Sequence, residues 1–483
     1  MKDVCEKKMT FNECELAILR NAVDKAEKKK GRRNVNTSEI KEIIEIVESF
    51  LKKKQLICYG GTAINNILPK QDQFYDKQIE IPDYDFYSHN ALHDAKELAD
   101  IYASKGFQEV EAKAGQHHGT YKVFVNFIPV ADITYIPKEL FNALKKESIK
   151  ILGILYAPPN WLRMNMYLEL SRPDGDISRW EKVLKRLSLL NKNFPLTSPK
   201  NCYKIDFQRK MSTDTRSNVI YDTVRNSFID QGVVFFGGYA ISLYSKYMPK
   251  KMSRKLENIP DFDVLSEEPE KCSRIVKERL ESIGTKNISI VNHEKIGEII
   301  PKHCEIRVAK ETIAFIYEPL ECHSYNNVNI DGRNIKIASL DTMLSLYLAF
   351  LYSNRPYYDE NRILCMSEFL FRVQQKNRLS QRGILKRFSS ECYGHQHTRE
   401  AIRAEKTKKF HELKNKPKGK DWEWWFLKYR PGEKTTKKSS KQTKKKTSKK
   451  NRRKTKNRKR KNTRKRRNKK KKTRKRRKKF SFF

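Results

Sequence analysis

The sequence predicts an α+β chain, with mixed helices and strands, that contains two tandem copies of one domain. Three observations predict it: an internal repeat, a change between helical and strand-like hydrophobic spacing, and a C-terminal run of basic residues. We expect helices at the N terminus, a degenerate second copy and a disordered basic tail. The length of 483 residues agrees, because one domain typically has about 100–200 residues.

The predicted division of the chain has five parts, whose boundaries follow the repeat and the changes in composition. They are an N-terminal helical segment at 1–35, a first copy at 36–200, a second copy at 201–400, a basic and aromatic segment at 401–433, and a tail at 434–483.

The first elements alternate between helical and strand patterns. A helix is predicted from Asn12 to Lys29, and a second helix begins at the capping-box pattern of residues 36–39. A strand at residues 56–59 ends at two glycines, and a helix follows from Thr62 to Leu68. Two later segments are rich in β-branched and aromatic residues and are predicted strands, at Tyr121–Phe127 and Val130–Tyr135.

The repeat rests on two motifs that recur in the same order. Residues 58–64 (CYGGTAI) recur as 235–241 (FFGGYAI), an offset of 177. Residues 81–86 (IPDYDF) recur as 259–264 (IPDFDV), an offset of 178. Because the period is too long for a solenoid repeat, we interpret it as a duplicated domain.

Charge divides the chain into a mildly basic body and an intensely basic tail. The net charge is +46, from 103 Lys and Arg against 57 Asp and Glu. Residues 434–479 contain 31 of these bases and no acid, which leaves 72 bases against 57 acids, or +15, in the body. The tail cannot form a core, and a polycation of this kind binds polyanions such as RNA. Nuclear targeting fits the same composition.

The C-terminal segment before the tail has two further features. Residues 399–414 are predicted to form a basic helix, and Trp422, Trp424 and Trp425 follow it closely. We interpret the tryptophans as an anchor that packs on the body, with base stacking as the alternative.

Neither a membrane span nor a disulfide framework is predicted. The most apolar run, Met343–Tyr352, is far shorter than the ~20 residues of a transmembrane helix, and no signal-peptide pattern occurs. The nine cysteines lack framework spacing, so we expect reduced thiols. Cys392, His395 and His397 form a weak metal-like cluster that lacks a fourth ligand.

Three carboxylates and two glycines are the candidate site. Asp83 and Asp85, two apart on a strand, project to one side and repel each other unless a divalent cation lies between them. Alone, such a pair of aspartates more often lies in a solvent-exposed turn.

Gly60 and Gly61 lie between a strand and a helix and let backbone N–H groups approach a phosphate, although a simple tight turn explains them too. Asp132, on a later strand, supplies a third carboxylate for two metals ~3.5–4 Å apart.

This order of motifs resembles the nucleotidyltransferase superfamily of DNA polymerase β. The longer stretches are similar to the poly(A) polymerase catalytic subunit of large nucleo-cytoplasmic DNA viruses, of the poxvirus and giant-virus type, over about residues 12–400. The segments that carry this resemblance are YGGTAIN, IPDYDFYS, GTYKVFVNFIPVADITYIP and APPNWLRMNMYLELSRPDGDISRWEKV.

The resemblance implies template-independent transfer of AMP from ATP to an RNA 3′ hydroxyl, with release of pyrophosphate. It implies that Asp83, Asp85 and Asp132 are catalytic and bind two Mg²⁺ (or Mn²⁺) ions. Gly60, Gly61 and Thr62 would bind the nucleotide. A second, degenerate nucleotidyltransferase-like domain is also implied, in agreement with the repeat.

The second copy keeps the glycines and the Asp pair but loses the third carboxylate. It retains Gly237-Gly238 and Asp261-x-Asp263, whereas Phe315 aligns with Asp132. Phenylalanine cannot bind Mg²⁺, and Glu311 or Glu318 could replace it only after a shift of register. We therefore predict a retained fold without catalysis.

Other functions stay open at this point. The same fold supports CCA addition, oligoadenylate or cyclic-dinucleotide synthesis and antibiotic adenylylation, and two inactive copies could form an RNA-binding scaffold. Antibiotic modification would not need the basic body. The expected partners are an RNA 3′ end and ATP, with a homodimer or a viral processivity subunit left open and no membrane. The expected location is the viral factory in the cytoplasm of an infected cell, with packaging in the virion or nuclear targeting as alternatives.

Overall fold

The computed structural model describes Cys5 and residues 8–35, 37–76, 81–209, 217–249, 257–415 and 419–433. Residues 1–431 form one unit, and residues 432–483 form another, of which only Gly432 and Glu433 are described. The predicted disorder of the tail concerns residues 434–483, which lie outside the described residues.

The helices of the described residues are numbered in chain order. They are α1 (Phe11–Val35), α2 (Ser38–Lys54), α3 (Gly60–Ile67), α4 (Ala91–Ser104), α5 (Lys138–Glu147), α6 (Pro159–Leu170), α7 (Trp180–Asn193), α8 (Ser217–Asp230), α9 (Gly237–Ser245), α10 (Pro269–Ser282), α11 (Leu340–Phe350), α12 (Glu360–Lys376), α13 (Arg399–Leu413) and α14 (Lys420–Phe426).

The strands of the described residues are numbered in the same way. They are β1 (Ile57–Tyr59), β2 (Tyr84–Ser88), β3 (Val110–Ala114), β4 (Thr120–Val125), β5 (Ile128–Tyr135), β6 (Ile149–Ile151), β7 (Ile154–Tyr156), β8 (Val234–Phe236), β9 (Phe262–Leu265), β10 (Ile288–His293), β11 (His303–Val308), β12 (Glu311–Tyr317), β13 (His323–Ile330), β14 (Arg333–Ala338), β15 (Cys392–Tyr393) and β16 (Lys428–Tyr429).

Both predicted N-terminal helices are present. The side chain of Thr37 caps α2 by accepting a hydrogen bond from the backbone N–H of Ile40 at 3.3 Å, as the sequence pattern predicts. The apolar face of α2 is buried in the core. In contrast, the apolar residues of α1, such as Leu16 and Leu19, are exposed, so its stripe does not enter the core.

Two eight-stranded sheets share a seven-strand order. The first sheet runs β16-β3-β4-β5-β2-β1-β7-β6, and the second runs β10-β11-β12-β9-β8-β14-β13-β15. The segment β3-β4-β5-β2-β1-β7-β6 thus corresponds to β10-β11-β12-β9-β8-β14-β13. The directions also agree, since β2 and β5 are parallel, as are β9 and β12. The fold class is confirmed, while the five domain boundaries stay predictions.

One face of the first sheet is covered and the other is partly open. Along β4 and β5, Tyr121, Val123, Ala131 and Ile133 are fully buried, and α4 packs on these strands. Of the alternate residues, Lys122, Phe124, Asp132 and Thr134 are half-buried, whereas Val130 is buried. The side chains of the candidate site therefore lie on the open face, because alternate strand residues point to opposite faces.

The aromatic segment returns the chain to the first sheet. Trp424 contacts the rings of Tyr121 and Tyr135, with centroid distances of 6.0 and 5.0 Å. Leu427 is buried, and β16 then pairs with β3 in antiparallel orientation. The predicted helix α13 and the interpretation of the tryptophans as an anchor are confirmed.

The expectation that the cysteines are reduced thiols is wrong for six of the nine. The pairs Cys5–Cys14, Cys202–Cys365 and Cys322–Cys392 are disulfide-bonded, and only Cys58, Cys272 and Cys304 are free thiols among the described residues. Spacing could not reveal pairs that come together only when distant segments pack. Among the described residues, we find no helix that combines the length and apolar character of a membrane span.

Candidate active site

The site begins where two neighbouring strands, β2 and β5, place carboxylates opposite each other. Asp85 on β2 lies opposite Tyr59 on β1 and opposite Asp132 on β5. Directly paired residues point to the same face of a sheet, so Asp85 and Asp132 share the open face. Asp83 lies directly before β2 rather than on it, which corrects the prediction that both carboxylates of the pair are strand residues. The pairing of β2 with β1 ends at Asp85 and its pairing with β5 ends at Tyr84, so Asp83 lies just outside the ladder.

The three carboxylates repel one another. Desolvation, followed by the charges of Asp83 and Asp132, raises the pKa of Asp85 to about 7. Desolvation and the charge of Asp132 also raise the pKa of Asp83, although this residue is exposed to solvent. Like charges held this close favour a bound cation or a bound proton.

Lys122 is the cation that the structure places among these groups. It lies opposite Asp132 on β4, and its ammonium donates to Asp132 Oδ2. The other oxygen, Asp132 Oδ1, is buried and accepts no hydrogen bond. A buried carboxylate oxygen without a donor is costly, so this atom fits the ligand set of a hard divalent ion. The acidic cluster can therefore hold a metal.

Gly60 allows the chain to pass close to Asp85. Gly60 begins α3 and has a φ of +71°, a left-handed conformation that glycine adopts readily. A Cβ atom built on Gly60 would lie 2.6 Å from Asp85 Oδ2. The missing side chain thus leaves space at the carboxylate, and α3 presents its first turn beside the acidic row.

Gly61 faces a different group that the sequence did not reveal. A Cβ on Gly61 would lie 2.6 Å from the hydroxyl oxygen of Tyr75 and 2.9 Å from Nη1 of Arg186. The guanidinium of Arg186 donates to that hydroxyl at 2.5 Å and lies 4.8 Å from the ring of Phe74. Arg186 comes from α7, more than 120 residues after the glycines, so its position depends on tertiary packing.

Thr62 has a structural contact within the candidate site. Its hydroxyl donates to the backbone carbonyl of Asp83 at 2.6 Å, and its side chain is buried. The contact ties the first turn of α3 to the segment that carries the Asp pair. Its predicted nucleotide contact stays a prediction.

The second copy repeats the backbone of this site with different chemistry. Asp263 on β9 is paired with Phe236 on β8 and with Phe315 on β12. Phe315 therefore occupies the position that Asp132 occupies in the first copy, opposite Asp85. A Cβ on Gly237 would lie 2.2 Å from Asp263 Oδ2. This register confirms the alignment of Phe315 with Asp132 and removes Glu311 and Glu318 as substitutes.

An arginine occupies the acidic pair of the second copy. The guanidinium of Arg209 contacts both Asp261 and Asp263, and its centre lies 4.5 Å from the ring of Phe315. Although burial opposes its charge, the two carboxylates raise the pKa of Arg209 above its ordinary value. The arginine thus offsets part of the negative charge of the pair and takes the place that a metal cation would need.

Two other clusters do not offer a second metal site. His93, Asp94 and Glu97 converge, but the ammonium of Lys54 lies 3.3 Å from Asp94 and 2.5 Å from Glu97 and neutralises them. Cys392 is bonded to Cys322, so it is not a free thiolate beside His395 and His397. The weak metal-like cluster of the sequence is therefore not supported.

Comparisons with known proteins cover the segment that carries this site. Residues 45–176, which carry the three carboxylates and the glycine pair, match the family model described as poly(A) polymerase catalytic subunit. This match confirms the resemblance inferred from the sequence. A protein of African swine fever virus (strain Badajoz 1971 Vero-adapted), named as a poly(A) polymerase catalytic subunit, is 35% identical over 171 residues. This alignment covers 34% of this chain and 36% of the relative, so the chain matches about a third of the relative's length.

A wider match comes from giant viruses. A poly(A) polymerase catalytic subunit named in Acanthamoeba polyphaga mimivirus is 29% identical over 234 residues, which cover 47% of this chain and 40% of that protein. The crystal structure of the Megavirus polyadenylate synthase has a TM-score of 0.73 and 20% identity, and the match covers 88% of each chain. At this identity the match shows that the two proteins share a fold over most of their length.

Proposed function

We propose that this chain is a template-independent poly(A) polymerase that transfers AMP from ATP to an RNA 3′ hydroxyl. In this reaction the 3′ oxygen forms a bond to the α-phosphorus, the bond to the β-phosphate breaks, and pyrophosphate leaves. The observation that carries the proposal is the row of Asp85 and Asp132 beside Asp83, with Gly60 opening α3 against Asp85. The family match over residues 45–176 supports the same activity.

The carboxylates would hold the divalent ions that this chemistry uses. Asp83, Asp85 and Asp132 would bind two Mg²⁺ or Mn²⁺ ions, and the donorless Asp132 Oδ1 is the oxygen that most needs such a partner. When bound, the ions would activate the attacking hydroxyl and neutralise charge on the leaving pyrophosphate. The pKa of Asp85 is raised to about 7 because its negative charge is unfavourable in this site. A bound divalent cation would stabilise that charge and would replace the proton.

The first turn of α3 and Arg186 would hold the triphosphate. The helix begins at Gly60 and directs its free backbone N–H groups away from the helix body, where anions bind favourably. Arg186 adds a full positive charge close to Gly61. Thr62 would contribute through its backbone N–H, because its hydroxyl already donates to Asp83.

The test is an extension assay on a short, unstructured RNA. Purified protein is incubated with the RNA, Mg²⁺ or Mn²⁺, and each nucleoside triphosphate separately, and the products are sized. The proposal requires long ladders with ATP alone and much less extension with the other three triphosphates. A matched inactive control is Asp132→Asn, which keeps the shape of the side chain and removes its charge.

The alternatives give different products in the same assay. Addition that stops after a few residues and needs CTP would indicate CCA addition. Products made from ATP without an RNA primer would indicate oligoadenylate or cyclic-dinucleotide synthesis. RNA binding without any incorporation would indicate a scaffold. Each of these results would overturn the polymerase assignment.

Partners and location remain proposals of the same kind. RNA and ATP follow from the proposed reaction. A homodimer or a processivity subunit, and a location in the viral factory of the infected cell, in the virion or in the nucleus, are consistent with the proposed activity and with the basic tail.

A further inference from the structure

A row of lysines continues the carboxylate row across the sheet. Lys122 lies opposite Asp132, Lys113 on β3 lies opposite Lys122, and Lys428 on β16 lies opposite Lys113. The complete row from the acidic centre to the edge is therefore Asp85, Asp132, Lys122, Lys113 and Lys428. Residues paired in this way point to one face, so the three lysines lie on the same open face as the carboxylates.

These lysines are accessible. The side chains of Lys122 and Lys113 are 37% and 44% exposed, and Lys428 is exposed. The ammonium of Lys113 lies 4.1 Å from the ring centre of Phe124, which shares this face, and 3.5 Å from Glu111. Glu111 is the acidic group beside the row, and Arg430 lies 3.7 Å from it, so positive charge remains in excess there.

The second copy provides an internal comparison. The corresponding row runs from Asp263 to Phe315, then to Glu305 on β11 and Val291 on β10. None of these positions carries a lysine or an arginine. The two sheets share their strand order, so the lysine row is not a consequence of the fold. It accompanies only the copy that keeps three carboxylates.

We propose that Lys113 and Lys428 bind the phosphates of the last few nucleotides of the RNA and guide its 3′ end to the carboxylates. This inference rests on the proposed function and adds the path of the RNA. Three strand spacings separate β5 from β16, about 14 Å at ~4.8 Å each, so the row is long enough for several phosphates of a single strand. Lys122 is the member nearest the acidic centre, where it balances Asp132.

The lysine row ends on β16, which is close in sequence to the basic tail. The Lys/Arg-rich segment begins at Lys434, six residues after Lys428. The chain therefore continues into its polycation from the strand on which the lysine row ends.

The test is a double-mutant cycle on the full chain, in which one change removes lysine charges from the protein and the other removes a phosphate charge from the RNA. One partner is Lys113→Gln with Lys428→Gln, and the other is a primer in which one of the last phosphodiesters is replaced by an uncharged methylphosphonate. In the wild type, we expect that replacement at a contacted phosphate raises the KM for RNA about threefold to tenfold. In the double variant the KM for RNA should already be raised, and the same replacement should add little. The KM for ATP and kcat should change less than twofold.

Two controls separate charge from folding. Lys113→Arg with Lys428→Arg keeps both charges and should retain the wild-type KM for RNA. Lys150→Gln removes an exposed lysine from β6, the opposite edge of the same sheet, and should not change the KM. Thermal unfolding should be the same for all variants.

The result that would overturn the inference is a full methylphosphonate penalty in the double variant, or a KM for RNA equal to that of Lys150→Gln. If the wild type adds no AMP to any primer, the proposed function fails instead. The same cycle is then measured as the dissociation constant of a fluorescent primer, so that the lysine row is judged separately.

Discussion

Asp85 on β2 lies directly opposite Asp132 on the neighbouring parallel strand β5. This pairing brings together two carboxylates that are 47 residues apart in the sequence and places them on the open face. Their mutual repulsion contributes to the raised pKa of Asp85, after desolvation and the charge of Asp83. The arrangement is costly for the protein alone and becomes favourable when a cation binds.

The first prediction concerns these carboxylates. Asp83→Ala, Asp85→Ala and Asp132→Asn should each reduce AMP addition by about a thousandfold or more, because each removes a carboxylate that would hold the divalent ions of the reaction. The loss should appear in kcat more than in KM for RNA. Circular dichroism and thermal unfolding are the checks on folding. A folded Asp83→Ala, Asp85→Ala double variant with near-normal activity would refute the site.

The second prediction concerns Gly60. Gly60→Ala should lower activity by about a hundredfold, because its Cβ would lie 2.6 Å from Asp85 Oδ2 and would displace that carboxylate. A matched control is Gly106→Ala. Gly106 also has a positive φ, of +97°, but has no heavy atom within 4 Å of the added Cβ. Both variants carry the backbone cost of about 1 kcal/mol, and only the first should lose activity. Equal activity of the two variants would show that the close approach to Asp85 is not needed.

The sequence predicted these residues because their motifs are local. A strand followed by two glycines, and two aspartates two residues apart, can be recognised from short segments. The duplication helped further, because the second copy identified Phe315 as the counterpart of Asp132 before the register was known. Arg186 and the lysine row were missed because no short pattern contains them. Lys113, Lys122 and Lys428 become neighbours only through strand pairing, and β16 enters the sheet from the far end of the chain.

The third prediction concerns pH. An ordinary aspartate has a pKa of 3.8, whereas that of Asp85 is raised to about 7 in the folded protein. Between these values the unfolded chain releases the proton and the folded chain keeps it. The stability of the metal-free protein should therefore fall as pH rises from about 4 to about 7, by at most about 4 kcal/mol from this group.

Denaturant unfolding in EDTA at pH 5 and pH 8 measures this effect. Asp85→Asn cannot ionise, so it should lose less stability than the wild type between the two values. Adding Mg²⁺ at pH 8 should stabilise the wild type more than Asp85→Asn. Parallel profiles for the two proteins would show that Asp85 titrates normally.

The fourth prediction concerns the second copy. Asp261→Ala with Asp263→Ala should leave AMP addition per folded molecule nearly unchanged, because Phe315 replaces the third carboxylate. The double variant should nevertheless lose about 3–5 kcal/mol of stability, since it leaves the buried charge of Arg209 without a partner. Adding Arg209→Met should recover most of that stability. If activity falls as far as in the first-copy variants while the protein stays folded, the second copy is catalytic.

The cysteines show the same limit of sequence reasoning. Cys202 and Cys365 are 163 residues apart, and nothing in either neighbourhood marks them as partners. Their proximity follows from the packing of α12 against the segment that precedes α8. A sequence without framework spacing therefore does not predict which thiols remain free.

The last prediction concerns the tail. Deleting residues 434–483 should leave the rate of a single AMP addition unchanged and shorten the products made in one RNA encounter. The deleted segment contains 31 Lys and Arg residues and none of the candidate site residues. A polycation makes sequence-independent contacts with phosphates, and these contacts slow the release of RNA between additions. The difference in product length should be largest at low salt and should decrease as salt rises, because counterion release drives such binding.

Processivity is measured with labelled primer, a trap of excess unlabelled RNA, and a series of salt concentrations. Equal product lengths for the full chain and the truncated chain at low salt would exclude a role in retaining RNA, and targeting or packaging would then explain the tail better.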